Sequence, residues 1–188
     1  MIRHHTMRWR PGTAFFTCTA ILVVSLGGAL ARGEDEPLPL RSELLMQMSA
    51  ELEDSQQVGE TPVGVRRIVY VKRGQFAGVR LRGRVLPGGG DWVLVRKDGV
   101  SQLDVRITLR TDDGALIYVT YRGISTLTPE MRQRILEGEA VNPSEYYFRT
   151  TPVFETAAEK YAWLNRLVAV GVGRRTRTGV EYSVYAIQ

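Results

Sequence analysis

Leu103-Asp104-Val105-Arg106-Ile107-Thr108-Leu109-Arg110 runs into Thr111-Asp112-Asp113-Gly114 and returns as Leu116-Ile117-Tyr118-Val119-Thr120-Tyr121. In the first half an apolar side chain recurs at every second position, which is the period of a strand with one face buried. Asp113-Gly114 is hairpin-turn chemistry, because glycine takes the positive φ that a tight primed turn demands. On the return strand Tyr118 and Tyr121 fall on opposite faces. Two long alternating strands joined by a tight turn predict antiparallel β structure.

The same pattern continues outward in both directions. Toward the N-terminus, Trp92–Arg96 leads into a second turn signal, Asp98-Gly99. Val79, Leu81, Gly83 and Val85 alternate with Arg80, Arg82 and Arg84. Val65–Val71 is a β-branched run suited to a half-buried strand. Met46, Met48, Ala50 and Leu52 share one face of a first strand. Toward the C-terminus one helix is predicted, with Thr128 as N-cap, Pro129 at its first position and Gly138 ending it. Tyr146–Thr151 reads as a strand, and Ala157–Asn165 as a short helix or turn. Leu167–Val172 and Val180–Ile187 form a last hairpin around residues 174–179. Eight to ten short strands with one or two small helices predict a mainly all-β domain, a sandwich or an antiparallel barrel.

The N-terminus has a different composition. Arg3, Arg8 and Arg10 precede an apolar stretch, Ala14–Ala31, that ends in Ala29-Leu30-Ala31. A basic start, an apolar run and a small-x-small end are the marks of a secretory signal. The expected organisation is therefore a signal over 1–31, an acidic, proline-bearing lead-in over 32–40, and a barrel domain over 41–188. The expected location is periplasmic or secreted, with no stable membrane insertion after cleavage. His4, His5 and Cys18 all lie within the signal, so residues 32–188 contain neither histidine nor cysteine. That excludes a Ser-His-Asp hydrolase and leaves zinc without its usual ligands. No metal and no cofactor are expected. Three of the 25 Lys and Arg residues precede Ala31, which leaves 22 against 20 Asp and Glu, a net charge of +2. That balance, with no recognisable motif, does not argue for nucleic acid.

Several separated blocks resemble a known family. They are Leu81-Arg82-Gly83-Arg84-Val85-Leu86-Pro87-Gly88-Gly89-Gly90-Asp91-Trp92, then Leu103-Asp104-Val105-Arg106, Leu109 through Tyr118, Tyr147-Phe148-Arg149-Thr150-Thr151-Pro152 with Phe154-Glu155, and Tyr161-Ala162-Trp163-Leu164-Asn165. In this order they resemble the family catalogued as domain of unknown function 3237. The resemblance implies a single antiparallel lipocalin-like β-barrel and little about chemistry. The chain departs from it in the export signal and at Gly90, where relatives often carry a larger residue.

The candidate site residues are charged or aromatic. Pro87-Gly88-Gly89-Gly90 reads as a wide turn, since no Lys or Thr follows as in a phosphate loop. Asp91 and Trp92 either bind a polar aromatic or sugar-like ligand at a barrel mouth, or cap the core and satisfy turn amides. Asp104, Arg106 and Arg110 share a strand face, either a solvated outer row or a polar row turned into the lumen. Asp112 and Asp113 belong to the turn. Tyr147 and Arg149 share a face, and Arg149 is suited to clamping a carboxylate or enolate. Glu155 is a candidate general base, or else the structural partner of Arg149. Asp104 and Tyr147 are further catalytic candidates. Tyr118 and Trp163 complete a candidate ligand set with Asp91, Trp92, Arg106 and Arg149.

Three functions fit: an exported barrel binding an aromatic or carboxylated small molecule; a cofactor-free isomerase, cyclase or lyase using Asp, Glu or Tyr with arginine as oxyanion stabiliser; and a structural or interaction module that forms a homodimer. An enzyme needs an ionisable group with a shifted pKa inside the pocket, whereas a binder can have a neutral lining. If Arg106, Arg149 and Trp163 all faced solvent, both pocket readings would be lost.

Overall fold

Each alternating strand has one apolar face, and closing a sheet on itself buries that face on every strand at once. The computed structural model describes residues 37–188; the expected signal and most of the lead-in lie outside the described residues. Ten strands are present: β1 (Ser42–Leu52), β2 (Gln56–Thr61), β3 (Gly64–Ala77), β4 (Arg82–Val85), β5 (Gly90–Val95), β6 (Ser101–Thr111), β7 (Leu116–Ser125), β8 (Phe148–Glu155), β9 (Ala169–Arg175) and β10 (Gly179–Ile187). Helix α1 (Pro129–Leu136) lies between β7 and β8, with short 3-10 helices at Pro143–Glu145 and Glu159–Arg166.

All pairings are antiparallel. They run β1-β10-β9-β8-β7-β6-β4-β3, and β3 pairs back onto β1 to close the barrel. The strands β4 and β5 share one of its eight positions. β4 bridges the C-terminal half of β3 to the end of β6, and β5 bridges the N-terminal half to its start. Pro87-Gly88-Gly89 is the step between them. Gly88 has φ +92, and a Cβ on Gly89 would come within 2.6 Å of the Arg106 carbonyl oxygen. The glycine run is thus a bend within one barrel position and not the wide turn expected from the sequence, because β4 and β5 run in the same direction, both antiparallel to β3 and β6.

Three elements differ from the sequence reading. The strand expected from Val79 to Val85 is shortened to β4, with Val79 exposed. β2 has no marked alternation and was not anticipated; it pairs only with the first part of β3. β3 runs on to Ala77, well beyond Val71, because β1 and β4 take up its polar second half on either side. Cross-strand hydrogen bonds there outweigh the absence of β-branched residues.

The two ends of the barrel are different. At the closed end, the 3-10 helix Glu159–Arg166 buries Tyr161 and Leu164. The Tyr161 hydroxyl donates to the Asp113 carboxylate at 3.0 Å, and Lys160 pairs with the same carboxylate. Those partners hold the Asp113 carboxyl well below the usual range. The most deeply buried side chains include Met46, Leu109, Ile117, Leu164 and Val184. β7 carries the chain from this end to the other, where α1 follows. Thr128 Oγ1 accepts the Met131 amide at 3.2 Å, and Gly138, at φ +90, stands just past the end of α1. Thr128→Ala is expected to cost about 1 kcal/mol. Thermal unfolding would register that loss, and amide exchange would rise first in α1. An unchanged melting temperature and exchange pattern would mean that packing of Ile135 alone holds the helix.

Candidate functional site

Strand parity places the interior. On β3 the inward residues are Arg67, Val69 and Val71; on β5, Asp91 and Val93; on β6, Leu103, Val105 and Ile107. They surround a lumen of about 290 Å³ that opens toward the α1 end of the barrel. That is close to the lower limit for small-molecule pockets, roughly 300 Å³. Most of the wall is apolar, including Met48, Val71, Val105, Ile107 and Phe148. Tyr182 meets Tyr121 edge-on with ring centroids 5.7 Å apart, and Phe148 at 5.4 Å. These three rings make a stiff aromatic wall.

The charges in the lumen are unbalanced. Arg67 comes from β3, Arg132 from α1 and Arg175 from the end of β9. Arg175 is anchored through its backbone amide, which donates to the Tyr146 hydroxyl at 3.0 Å. Burial lowers the pKa of all three arginines. Arg132, with Arg67 and Arg175 nearby, is lowered to about 10. The Nε atoms of Arg67 and Arg175 are buried and have no hydrogen-bond partner among the described residues. The ion pairs found among the described residues use other side chains. Glu53 and Asp54 line the mouth but are exposed.

The one carboxyl set into the wall is Asp91. Burial pushes it up to about 7, opposed by a hydrogen bond from the Asp104 amide and by the charge of Arg67. That amide donates to Asp91 Oδ1 at 3.0 Å. Burial also raises the Tyr121 and Tyr182 hydroxyls, so both remain protonated donors. Among the described residues no three Asp, Glu, His or Cys side chains come together as metal donors would.

Of the residues expected from sequence, Asp91 alone lines this lumen. Trp92, its neighbour on the strand, necessarily faces the other way. Asp104 and Arg106 are outward, paired at 3.2 Å, with Arg106 standing 5.3 Å from the Trp92 ring. Val105 and Ile107 take the inward positions of β6. On β8 the inward set is Phe148, Thr150, Pro152 and Phe154, so Arg149 and Glu155 face out. Arg149 stacks on exposed Tyr147 at 5.1 Å. Trp92, Asp104, Tyr147 and Arg149 converge on a groove, but on the outside of the barrel. Glu155 pairs across strands with Tyr118, which is 40% exposed. Trp163 lies at the closed end under Arg80, 3.7 Å from the guanidinium carbon.

Arg106, Arg149 and Trp163 therefore all lie outside the lumen, although Trp163 packs partly against the core; this ends both pocket readings as built on these three side chains, and a pocket reading must rest on other residues. The lumen is built from a different arginine set, which sequence reasoning missed. A signal was present: Arg67 interrupts the β-branched run at the parity of Val69 and Val71. Arg132 stands three residues before Ile135 on α1.

A closed antiparallel barrel, capped at one end and holding a ligand-sized lumen lined with arginines at the other, defines the class of this protein. The chain belongs to the family described as Protein of unknown function (DUF3237), matched over residues 40–187. It is 34% identical over 148 residues to a UPF0311 protein of Rhodopseudomonas palustris, covering 79% of this chain and 97% of that one. The crystal structure of a Rhodopseudomonas palustris protein of unknown function superposes with a TM-score of 0.75 at 33% identity, over 80% of this chain and 99% of that one. A β-barrel-like protein from Acinetobacter baumannii gives 0.71 at 38% identity, over 81% and 99%. An enzyme from Penicillium herquei gives 0.62 at 21% identity, over 81% and 98%, a likeness of fold alone.

Proposed function

We propose that this chain is an exported barrel that holds a small organic anion, with an apolar and aromatic body, in its lumen. The observation that carries this is the arginine cluster. Arg67 and Arg175 keep buried, unpaired Nε donors in a cavity whose wall is mostly apolar. A buried donor left without a partner costs about 1–3 kcal/mol, and a ligand carboxylate would relieve that cost. The aromatic wall of Tyr121, Phe148 and Tyr182 suits a planar body. Export is supported by the basic start, the apolar run and the Ala29-Leu30-Ala31 end.

Thermal-shift titrations with benzoate, benzyl alcohol and benzylamine test the binding reading. Benzoate should raise the melting temperature and the other two should not. Equal shifts with the neutral alcohol would show that the arginines do not select the ligand. No shift with any of the three would favour an interaction module. Export is tested by sequencing the mature N-terminus from a bacterial host, where the chain should begin at Arg32. A chain retaining Met1 would refute it.

A further inference from the structure

We infer that the lumen is also a proton-transfer site, in which Asp91 takes a proton from the carbon beside the carbonyl of a bound aryl 2-oxo acid while the arginines hold the oxygen that receives the electron pair. This rests on the reading of the lumen as an anion pocket. The step needs no cofactor. The C–H bond breaks, its proton passes to the Asp91 carboxylate, and its electron pair forms the C–C double bond of an enolate. Return of the proton to that oxygen gives the enol, and return to carbon restores the keto acid. Nothing is oxidised or reduced.

Four features of the site carry the inference. Asp91 is the one carboxyl inside the wall, since Glu53 and Asp54 sit at the exposed mouth. Its orientation is fixed, because Oδ1 accepts the Asp104 amide at 3.0 Å, while Oδ2 accepts no hydrogen bond among the described residues. It is not tied up in a direct ion pair with any arginine among the described residues. It also lies on the inward row Val69–Asp91–Val105–Tyr121, so a phenol donor stands on the same ring of the wall. A positioned base and a set of oxyanion donors facing one cavity are what enolisation requires. The groups that act on Asp91 are Arg66 and Arg67 of β3, Asp104 of β6, Tyr121 of β7 and Tyr182 of β10. Burial outweighs the Asp104 amide and the two arginines, which lower it, and leaves the carboxyl titrating at about 7, a range that an ordinary aspartate does not reach.

The test uses the full chain, phenylpyruvate as probe, and deuterium oxide as solvent. Proton NMR follows loss of the benzylic signal, and shift changes in the same samples report binding. The wild type should exchange the benzylic protons about 100-fold faster than buffer. Its rate should rise through a pH near 7 and level off. Asp91→Asn should bind phenylpyruvate and exchange it at the buffer rate. Glu155→Gln, which alters a carboxylate on the outer face, should retain the full rate and pH profile. If phenylpyruvate binds but the wild type exchanges at the buffer rate, proton transfer is refuted and the binding reading stands. A wild-type profile flat across pH 7, or Asp91→Asn exchanging like wild type, also refutes it. If phenylpyruvate does not bind, both readings fail for this ligand class.

Discussion

Between pH 4 and pH 8 the ligand-free wild type loses on the order of 3 kcal/mol relative to Asp91→Asn. The sign follows from where the proton sits. In the unfolded chain Asp91 releases its proton near 3.8, and in the folded barrel near 7. Between those values the folded state holds a proton that the unfolded state has given up, so raising the pH favours unfolding. The stability that this group contributes is fully present below about pH 4 and is lost as pH rises through about 7. Each pH unit of the interval is worth about 1.4 kcal/mol, reduced here because the lumen is open at one end. Asparagine keeps an acceptor for the Asp104 amide and cannot ionise, so the variant escapes the loss. At pH 8 it should melt roughly 10 °C above wild type, and the two should converge near pH 4. Exposed Asp113 runs in the opposite direction, since its lowered pKa gives stability that is lost as pH falls. It contributes equally to both proteins and cancels in the difference. Parallel melting curves across the pH range would show that Asp91 is not buried as described.

Arg67→Met should stabilise the empty barrel and weaken its hold on anions. Methionine fills a similar volume, removes a guanidinium whose buried Nε has no partner, and relieves Arg132 and Arg175 of a like charge. Replacing poorly compensated buried charge with apolar side chains gains about 1–4 kcal/mol in other proteins, and about 2 kcal/mol is expected here. Charge-assisted hydrogen bonds to a carboxylate are worth about 1.5–3 kcal/mol, so benzoate should bind roughly 10- to 100-fold more weakly. Losing Arg67 also removes a cation that favours the Asp91 carboxylate, so the transition of Asp91 should move to higher pH. Denaturant unfolding and a benzoate titration measure the first two effects. A variant that is less stable than wild type and binds benzoate unchanged would mean that Arg67 is a structural residue.

Much of the fold could be read from local patterns. The alternation of Leu103–Leu109, the turns at Asp98-Gly99 and Asp113-Gly114, and the caps of α1 at Thr128 and Gly138 all arise from interactions a few residues apart. β2 could not be read this way, because its only support is pairing with β3. The site was harder to find than the fold. Arg106, Arg149 and Trp163 were attractive because arginine and tryptophan cluster in ligand sites, yet each has an outward partner: Asp104, Tyr147 and Arg80 respectively. Arg67 lies inside a β-branched run whose inward parity the local pattern does not assign.

The sequence by itself determined the strand periods, the turns, the helix caps, and the absence of histidine and cysteine after residue 31. Each depends on residue type and short-range spacing. The tertiary structure alone decided which face of each strand became the interior. β6 alternates cleanly, but β3 carries a charge at both parities, Arg66 beside Arg67, and β5 places the charged Asp91 next to the large apolar Trp92. There, local pattern does not distinguish inside from outside. The choice was made by closure of β1 onto β3 and by the registers Val69–Asp91 and Asp91–Val105. A shift of one residue would exchange every inward side chain for its outward neighbour.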